Sequence, residues 1–190
     1  LGTIALADRP RLSSKDGIAR LRAQGLEMVM LTGDSRAAAE AIATEVGIEV
    51  IHAEVLPGDK AAVVQSLQAE GRRVAMVGDG VNDGPALAAA DVGIAIASGT
   101  DVAAESADVV LMHSRLTDVA RAVELSRAVM RTIRQNLFWA FFYNAAGIPV
   151  AAGVLYLFGG PLLNPMLASL AMALSSVSVV ANALRLRRFG

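Results

Sequence analysis

Apolar residues fall into two kinds of run along this chain. Over positions 1–114, short apolar clusters alternate with longer stretches whose apolar residues recur every three or four positions. The clusters predict strands at 3–7, 27–31, 49–53, 74–77, 92–96 and 109–111, and the stretches predict helices at 14–24, 36–46, 59–70 and 85–90. Ser13 or Ser14 can cap the first helix, and Gly25, Gly47 and Gly71 each stand where a helix ends in a left-handed residue. Short strands joined through helices make a parallel sheet covered on both faces, a doubly wound α/β domain. In such sheets ligands bind beyond the carboxyl ends of the strands. Two polar clusters, Thr32-Gly33-Asp34 and Gly78-Asp79-Gly80, follow predicted strands at that edge.

The second kind of run begins after an amphipathic helix at 116–135 that carries Arg121, Arg127, Arg131 and Arg134. From Leu137 to Leu184 there is no charged residue, 48 positions in all, and Gly159-Gly160-Pro161 breaks the run near its middle. Each half is about 23 residues, close to the ~20 needed to cross a hydrocarbon core. Two transmembrane helices at about 136–158 and 162–184 are therefore predicted. Arginines flank both outer ends, which places those ends in the cytoplasm and the turn outside. A buried helical hairpin in a soluble protein is the competing reading. The division expected is a domain at 1–114, a connecting helix at 115–135 and a membrane hairpin with a basic tail at 136–190.

Composition sharpens this picture. The chain is 54% hydrophobic and 18% charged, with a net charge of -1, so no basic surplus is available for nucleic acid. It has no cysteine, which removes disulfides, thiolate metal sites and a cysteine nucleophile. All eight aromatic residues lie beyond Asn136. The chain opens at Leu1 directly on an apolar run, and a piece of a longer protein is the expectation.

Thr32-Gly33-Asp34 sets a hydroxyl and a glycine turn just before a helix, an arrangement that suits an anionic oxygen or serves as a plain turn with an N-cap. Gly78-Asp79-Gly80-Val81-Asn82-Asp83 holds two carboxylates four residues apart after a strand. Mg²⁺ takes carboxylate oxygen and commonly shares a phosphate oxygen, so Asp79 can reach a metal while Asn82 and Asp83 fix the turn. An Asx-rich turn without metal is the alternative. Lys60, one of two lysines in the chain, opens a helix where it can balance charge on a phosphoryl group or simply be solvated.

Together, Thr32-Gly33-Asp34, Pro57-Gly58-Asp59-Lys60 and Gly78-Asp79-Gly80-Val81-Asn82-Asp83 resemble the motifs of P-type ATPases, whose phosphorylation domain has the haloacid-dehalogenase-like fold. Gly84-Pro85-Ala86-Leu87, the segment from Ala90 to Ala95 and Gly99-Thr100-Asp101-Val102-Ala103 continue the likeness, which covers essentially the whole chain in order. The resemblance implies that Thr32 and Gly33 hold the phosphoryl group with Asp34 beside them, and that Lys60 neutralises it. It implies too that Asp79 binds Mg²⁺ with support from Asn82 and Asp83, Asp83 counting as a further Mg²⁺ residue. ATP is then the substrate of the whole pump. Ser35 and Gly84 replace the commoner Asn and Ala. The family's Asp-Lys-Thr-Gly-Thr segment, whose aspartate is phosphorylated, is nowhere in the chain, so the chain alone is not expected to hydrolyse ATP.

In the second uncharged half, Met172 and Ser176 are four apart and share a helix face, and the first half holds Tyr143-Asn144 ahead of a kink expected at Pro149. Such groups line a pathway or simply pack helices together. A thioether favours Cu(I), and no carboxylate is present for a hard dication. Tyr143-Asn144 and Met172-x-x-Ser175-Ser176 resemble the signatures of copper-exporting pumps, which implies Cu(I) or Ag(I) as the cargo, with Tyr143, Asn144, Met172 and Ser176 on its path. The same resemblance implies a multi-pass protein of a bacterial plasma membrane with its soluble part cytoplasmic. Its partners would be lipid, the missing N-terminal part and a copper chaperone. Two other readings stay open: a free-standing, membrane-tethered phosphatase using Asp8, and a non-catalytic regulatory membrane subunit.

Overall fold

The computed structural model describes residues 10–79, 82–96, 106–159 and 165–188. The predicted strand at 3–7, Asp8, Gly80 with Val81, residues 99–103 and the Gly160-Pro161 turn lie outside the described residues. The chain divides into two compact units, residues 1–122 and 123–190.

The first unit follows the predicted alternation. Helix α1 is Leu12–Ala23, followed by β1 (Val29–Leu31), α2 (Arg36–Val46), β2 (Val50–His52), α3 (Lys60–Ala69), β3 (Ala75–Gly78), α4 (Gly84–Ala89), β4 (Val92–Ile96) and β5 (Val109–Leu111). Gly25, Gly47 and Gly71 all take positive φ after their helices, as expected of C-terminal glycines. The N-cap of α1 differs from expectation. Extended Arg11 precedes the helix without a side-chain cap, so Ser13 and Ser14 fall inside its first turn.

Every observed strand pair is parallel. β1 pairs with β2, Val29 opposite Val50, and β3-β4-β5 form a second ladder with Ala75 opposite Val92 and Ile94 opposite Val109. Among the described strands no ladder joins β1 to β3, so each keeps one edge unpaired. Apolar packing nevertheless links them. Val64 of α3, Met76 of β3 and Ala86 and Leu87 of α4 form a buried cluster against which Leu31 of β1 packs.

Two acidic residues tie the far ends of these strands. Asp91 accepts from the Val74 N–H, the Gln68 amide and the Arg73 guanidinium, at 2.9, 3.1 and 2.9 Å. Asp108 accepts from the Gly93 N–H at 2.8 Å. Gly93 must lack a side chain, since a Cβ there would stand 2.7 Å from the Leu87 carbonyl oxygen.

Helix α5 runs without interruption from Leu116 to Ala151, across the expected change from connector to span at 135/136. Nothing between Leu116 and Asn136 is glycine or proline, so the i→i−4 ladder has no reason to stop there. Within the first unit its root is held by α1. A Cβ on Gly17 would be 2.6 Å from Leu116 Cβ, Arg11 donates to the Ser114 carbonyl at 2.6 Å, and Gln24 donates to the Ala120 carbonyl at 3.2 Å.

In the second unit α5 is followed by α6 (Val154–Leu157), α7 (Pro165–Leu184) and a 3₁₀ turn at Arg185–Arg188. The expected span at 136–158 is therefore not one helix. Pro149 withholds an N–H from the Ala145 carbonyl, and Gly153, at φ 83°, turns the chain two residues after α5 ends. Among the described residues no helix is long and apolar enough to cross a membrane. One side-chain contact joins α5 to α7 near the ends of the uncharged run. The Asn182 amide donates to Asn136 Oδ1 at 2.8 Å and to Gln135 Oε1 at 3.3 Å, so the two ends of the uncharged run meet.

The Val74 N–H, with Gln68 and Arg73 behind it, holds the Asp91 carboxyl well below its ordinary 3.8, at about 2. A lowered native pKa means that the unfolded chain binds more protons. Its stabilising contribution is complete above pH 3.8 and disappears as the pH falls to about 2. Urea midpoints measured across that window should fall less steeply for Asp91→Asn than for the parent chain.

Candidate functional site

The carboxyl end of β1 turns on its own hydroxyl. Thr32 Oγ1 donates to Asp34 Oδ2 at 2.8 Å and accepts from the Asp34 N–H at 3.1 Å. The turn is braced by the loop after β2, with the Val55 N–H donating to the Thr32 carbonyl at 3.1 Å and the Glu54 N–H to the Asp34 carbonyl at 2.9 Å. Gly33 is exposed between them. Ser35 caps α2 by accepting from the Ala38 N–H, which leaves this end of the strand facing a helix N-terminus. An anionic oxygen arriving here would have to draw the single Thr32 hydroxyl hydrogen away from Asp34 Oδ2, while the Asp34 N–H keeps Oγ1 in place.

The carboxyl end of β3 is built around charge. Lys60 is the first residue of α3, where the helix dipole presents partial positive charge and a cation is disfavoured. The compensation is Asp83, whose Oδ1 lies 2.6 Å from Lys60 Nζ, with both side chains largely enclosed at 13% and 14% exposure. Asp83 directly precedes α4, and its carboxylate leans over Gly78 at the strand end. A Cβ on Gly78 would stand 2.6 Å from Asp83 Oδ2, so only glycine admits this pose. Asp79 follows at once and is exposed, as is Asn82.

The sequence assigned Asp83 to metal beside Asp79, and the structure gives one of its oxygens to Lys60. The donor set still fits Mg²⁺, which needs only one or two carboxylates and fills its shell with water and phosphate. Among the described residues no three His, Asp or Glu side chains converge, so an all-protein cage for a larger cation is not built here.

The four residues proposed for ion passage lie in the second unit, Tyr143 and Asn144 on α5 and Met172 and Ser176 on α7. Tyr143 is 38% exposed and closes an aromatic ladder, its ring centroid 6.1 Å from Trp139 and 6.3 Å from Phe142. The Asn144 amide donates to the Ala140 carbonyl one turn back, at 2.9 Å. Ser176 is exposed on α7, and Met172 belongs to the same helix with its side chain outside the description. A groove of about 650 Å³ runs along α5 between Ser126 and Trp139. It touches none of these residues.

Two pairings escaped the sequence reading. Lys60 and Asp83 are 23 positions apart, and their union follows only once β3 and α3 are neighbours. The signal available was the rarity of lysine and its place at a helix start. Asn136 and Asn182 bracket the uncharged run, and amides at both ends of one apolar stretch were the hint.

Comparison with known proteins finds relatives along nearly the whole chain. The model of haloacid dehalogenase-like hydrolases matches residues 1–91, and a second model of the same description matches residues 60–123. A probable copper-transporting ATPase, PacS, of Synechococcus elongatus is 58% identical over 98% of this chain and 25% of its own length. A silver exporting P-type ATPase of Salmonella typhimurium is 55% identical over 98% of this chain and 23% of its own. The crystal structure of a zinc-transporting PIB-type ATPase in its E2.Pi state superposes with a TM-score of 0.82 at 43% identity, over 96% of this chain and 29% of that one. The chain thus spans about a quarter of the length of the curated relatives it matches.

Removing either partner of the Lys60–Asp83 pair strands an enclosed charge. Lys60→Met and Asp83→Asn should each lower the unfolding free energy by about 2 kcal/mol. In urea titrations the double variant should lose clearly less than the sum of the two, since the second change removes the orphaned charge.

Proposed function

We propose that this chain, which belongs to the P-type ATPases, is the C-terminal part of an ATP-driven pump that exports Cu(I), with Ag(I) as its close surrogate. The observation that carries the reading is the enclosed Lys60–Asp83 pair at the end of a parallel strand, directly beside Asp79, in a chain similar along nearly its whole length to copper and silver exporters.

In this reading the strand ends grip a phosphoryl group. The Gly33 N–H donates to its oxygens, and the Thr32 hydroxyl, held by the Asp34 N–H, turns its one hydrogen from the Asp34 carboxylate to the phosphoryl group, while Lys60 offsets the charge that builds during transfer. Asp83 keeps the ammonium of Lys60 in place, and Asn82 shapes the turn. Asp79 would hold Mg²⁺ with help from Asp83, and the ion supplies charge neutralisation on phosphate oxygens. The aspartate that becomes phosphorylated comes from the missing upstream part. Among the described strands, β1 and β3 each have an edge without a ladder partner, which offers its strand a place between Thr32 and Asp79. The chain alone is then catalytically incomplete.

We place 137–184 in the membrane of the whole pump as a hairpin. Its two ends meet through Asn182 and Asn136, and the arginines that flank it lie on the cytoplasmic side. ATP-driven movement passes from the sheet domain into α5, whose root α1 grips through Gly17 and Gln24. Tyr143, Asn144, Met172 and Ser176 form part of the ion path, the thioether selecting Cu(I). The missing part of the same pump and lipid are the partners, and a copper chaperone supplies the ion.

In the complete pump, Asp79→Asn should abolish Mg²⁺-dependent phosphoenzyme formation from ATP, and an unaltered phosphoenzyme level would contradict the role given to Asp79. Met172→Leu should lower Cu(I) bound at the membrane site while the protein stays folded. Copper stoichiometry equal to that of the parent would return Met172 to helix packing. Mg²⁺-dependent phosphate-ester turnover by the chain alone, lost in Asp8→Asn, would replace the pump reading with a phosphatase.

A further inference from the structure

We propose that Asn182 is a positioning residue for the ion path: its carboxamide locks the register of α7 against α5 and so sets Met172 and Ser176 level with Tyr143 and Asn144. The inference rests on the reading of those four residues as the path.

The contact is specific in chemistry. A carboxamide nitrogen carries two hydrogens, and Asn182 Nδ2 spends them on Asn136 Oδ1 at 2.8 Å and Gln135 Oε1 at 3.3 Å, both on α5. Asn182 and Asn136 are half-buried where most of their neighbours are exposed. Going up from this contact, the half-buried positions continue as one stripe on α7, through Val179, Ser178 and Ser175, and on α5 at Ala140. Such small residues let helices approach closely. The two helices must leave the contact in the same direction. The connection 152–164 includes the helical turn α6 and is too short to join far ends pointing opposite ways.

Register then follows from helix rise. At about 1.5 Å per residue, Tyr143 and Asn144 stand about 11 and 12 Å along α5 from Asn136. Ser176 and Met172 stand about 9 and 15 Å along α7 from Asn182 by the same rise. The α7 pair therefore brackets the α5 pair. A slip of one turn, about 5.4 Å either way, would carry Ser176 and Met172 both beyond Asn144 or both short of it. Without the double donor, van der Waals contacts of small side chains give little to prevent such a slip.

The test uses the complete pump and Cu(I), with Asn182→Leu, Asn136→Leu, the double variant and Met172→Leu as reference. Asn182→Leu should raise the Cu(I) concentration for half-maximal phosphorylation by about tenfold, the usual cost of losing a partner that orients metal ligands. Maximal phosphoenzyme, and phosphorylation by inorganic phosphate without copper, should stay at the parent level. A purely structural defect would lower those levels and leave the half-maximal concentration in place, which would overturn the proposal. Asn136→Leu should act in the same direction, and the double variant should be no worse than Asn182→Leu alone; additive effects would overturn the shared contact. If Met172→Leu shifts the copper response and Asn182→Leu does not, the register lock fails while the path stands. If Met172→Leu leaves the response unchanged, the path itself fails and takes the lock with it.

Discussion

An enclosed ammonium needs a counter-charge, and that constraint organises the carboxyl edge of the sheet in this protein. Lys60 sits where a helix dipole repels it, and its partner must come from another element. Asp83 can serve only because β3 ends in a glycine that lets the carboxylate lie across the strand. The result is a paired, enclosed charge at the strand end, which in the function proposed above faces the phosphoryl group. Preorganisation of this kind lowers the reorganisation needed at the moment of transfer. Asp79 follows the strand directly.

The long helix α5 gives the second constraint. It begins under α1, where a missing side chain at Gly17 lets two backbones nearly touch, and it continues well past the last arginine into uncharged sequence. Its stretch from Leu116 to Asn136 holds no glycine or proline, the usual causes of a bend. Pro149 and Gly153 close the helix only after Tyr143 and Asn144.

Much of the first unit was legible because its signals were local. Periodicity and glycine stops placed α2, β4 and β5 at their observed limits, and the other described helices and strands of this unit lie within two residues of theirs. The N-cap of α1 was misplaced because Ser13 and Ser14 looked like caps while Arg11 already held the extended backbone that begins the helix. The break in the first uncharged half was seen only as a kink, since proline signals a disturbance without saying whether the ladder resumes. Pairings over long separations, Lys60 with Asp83 and Asn182 with Asn136, depend on which elements become neighbours and leave no mark in periodicity. Of the site, the residue types were readable and the partnerships were not.

The account stands or falls on whether this sequence can act as the terminal quarter of a copper pump. The most direct measurement replaces the matching segment of the Synechococcus elongatus relative with this chain and follows phosphoenzyme formation from ATP in membranes. The account predicts an acid-stable phosphoenzyme that rises with Cu(I) or Ag(I) and not with Zn²⁺. A folded chimaera that forms phosphoenzyme without regard to Cu(I), or in answer to Zn²⁺ instead, would contradict it.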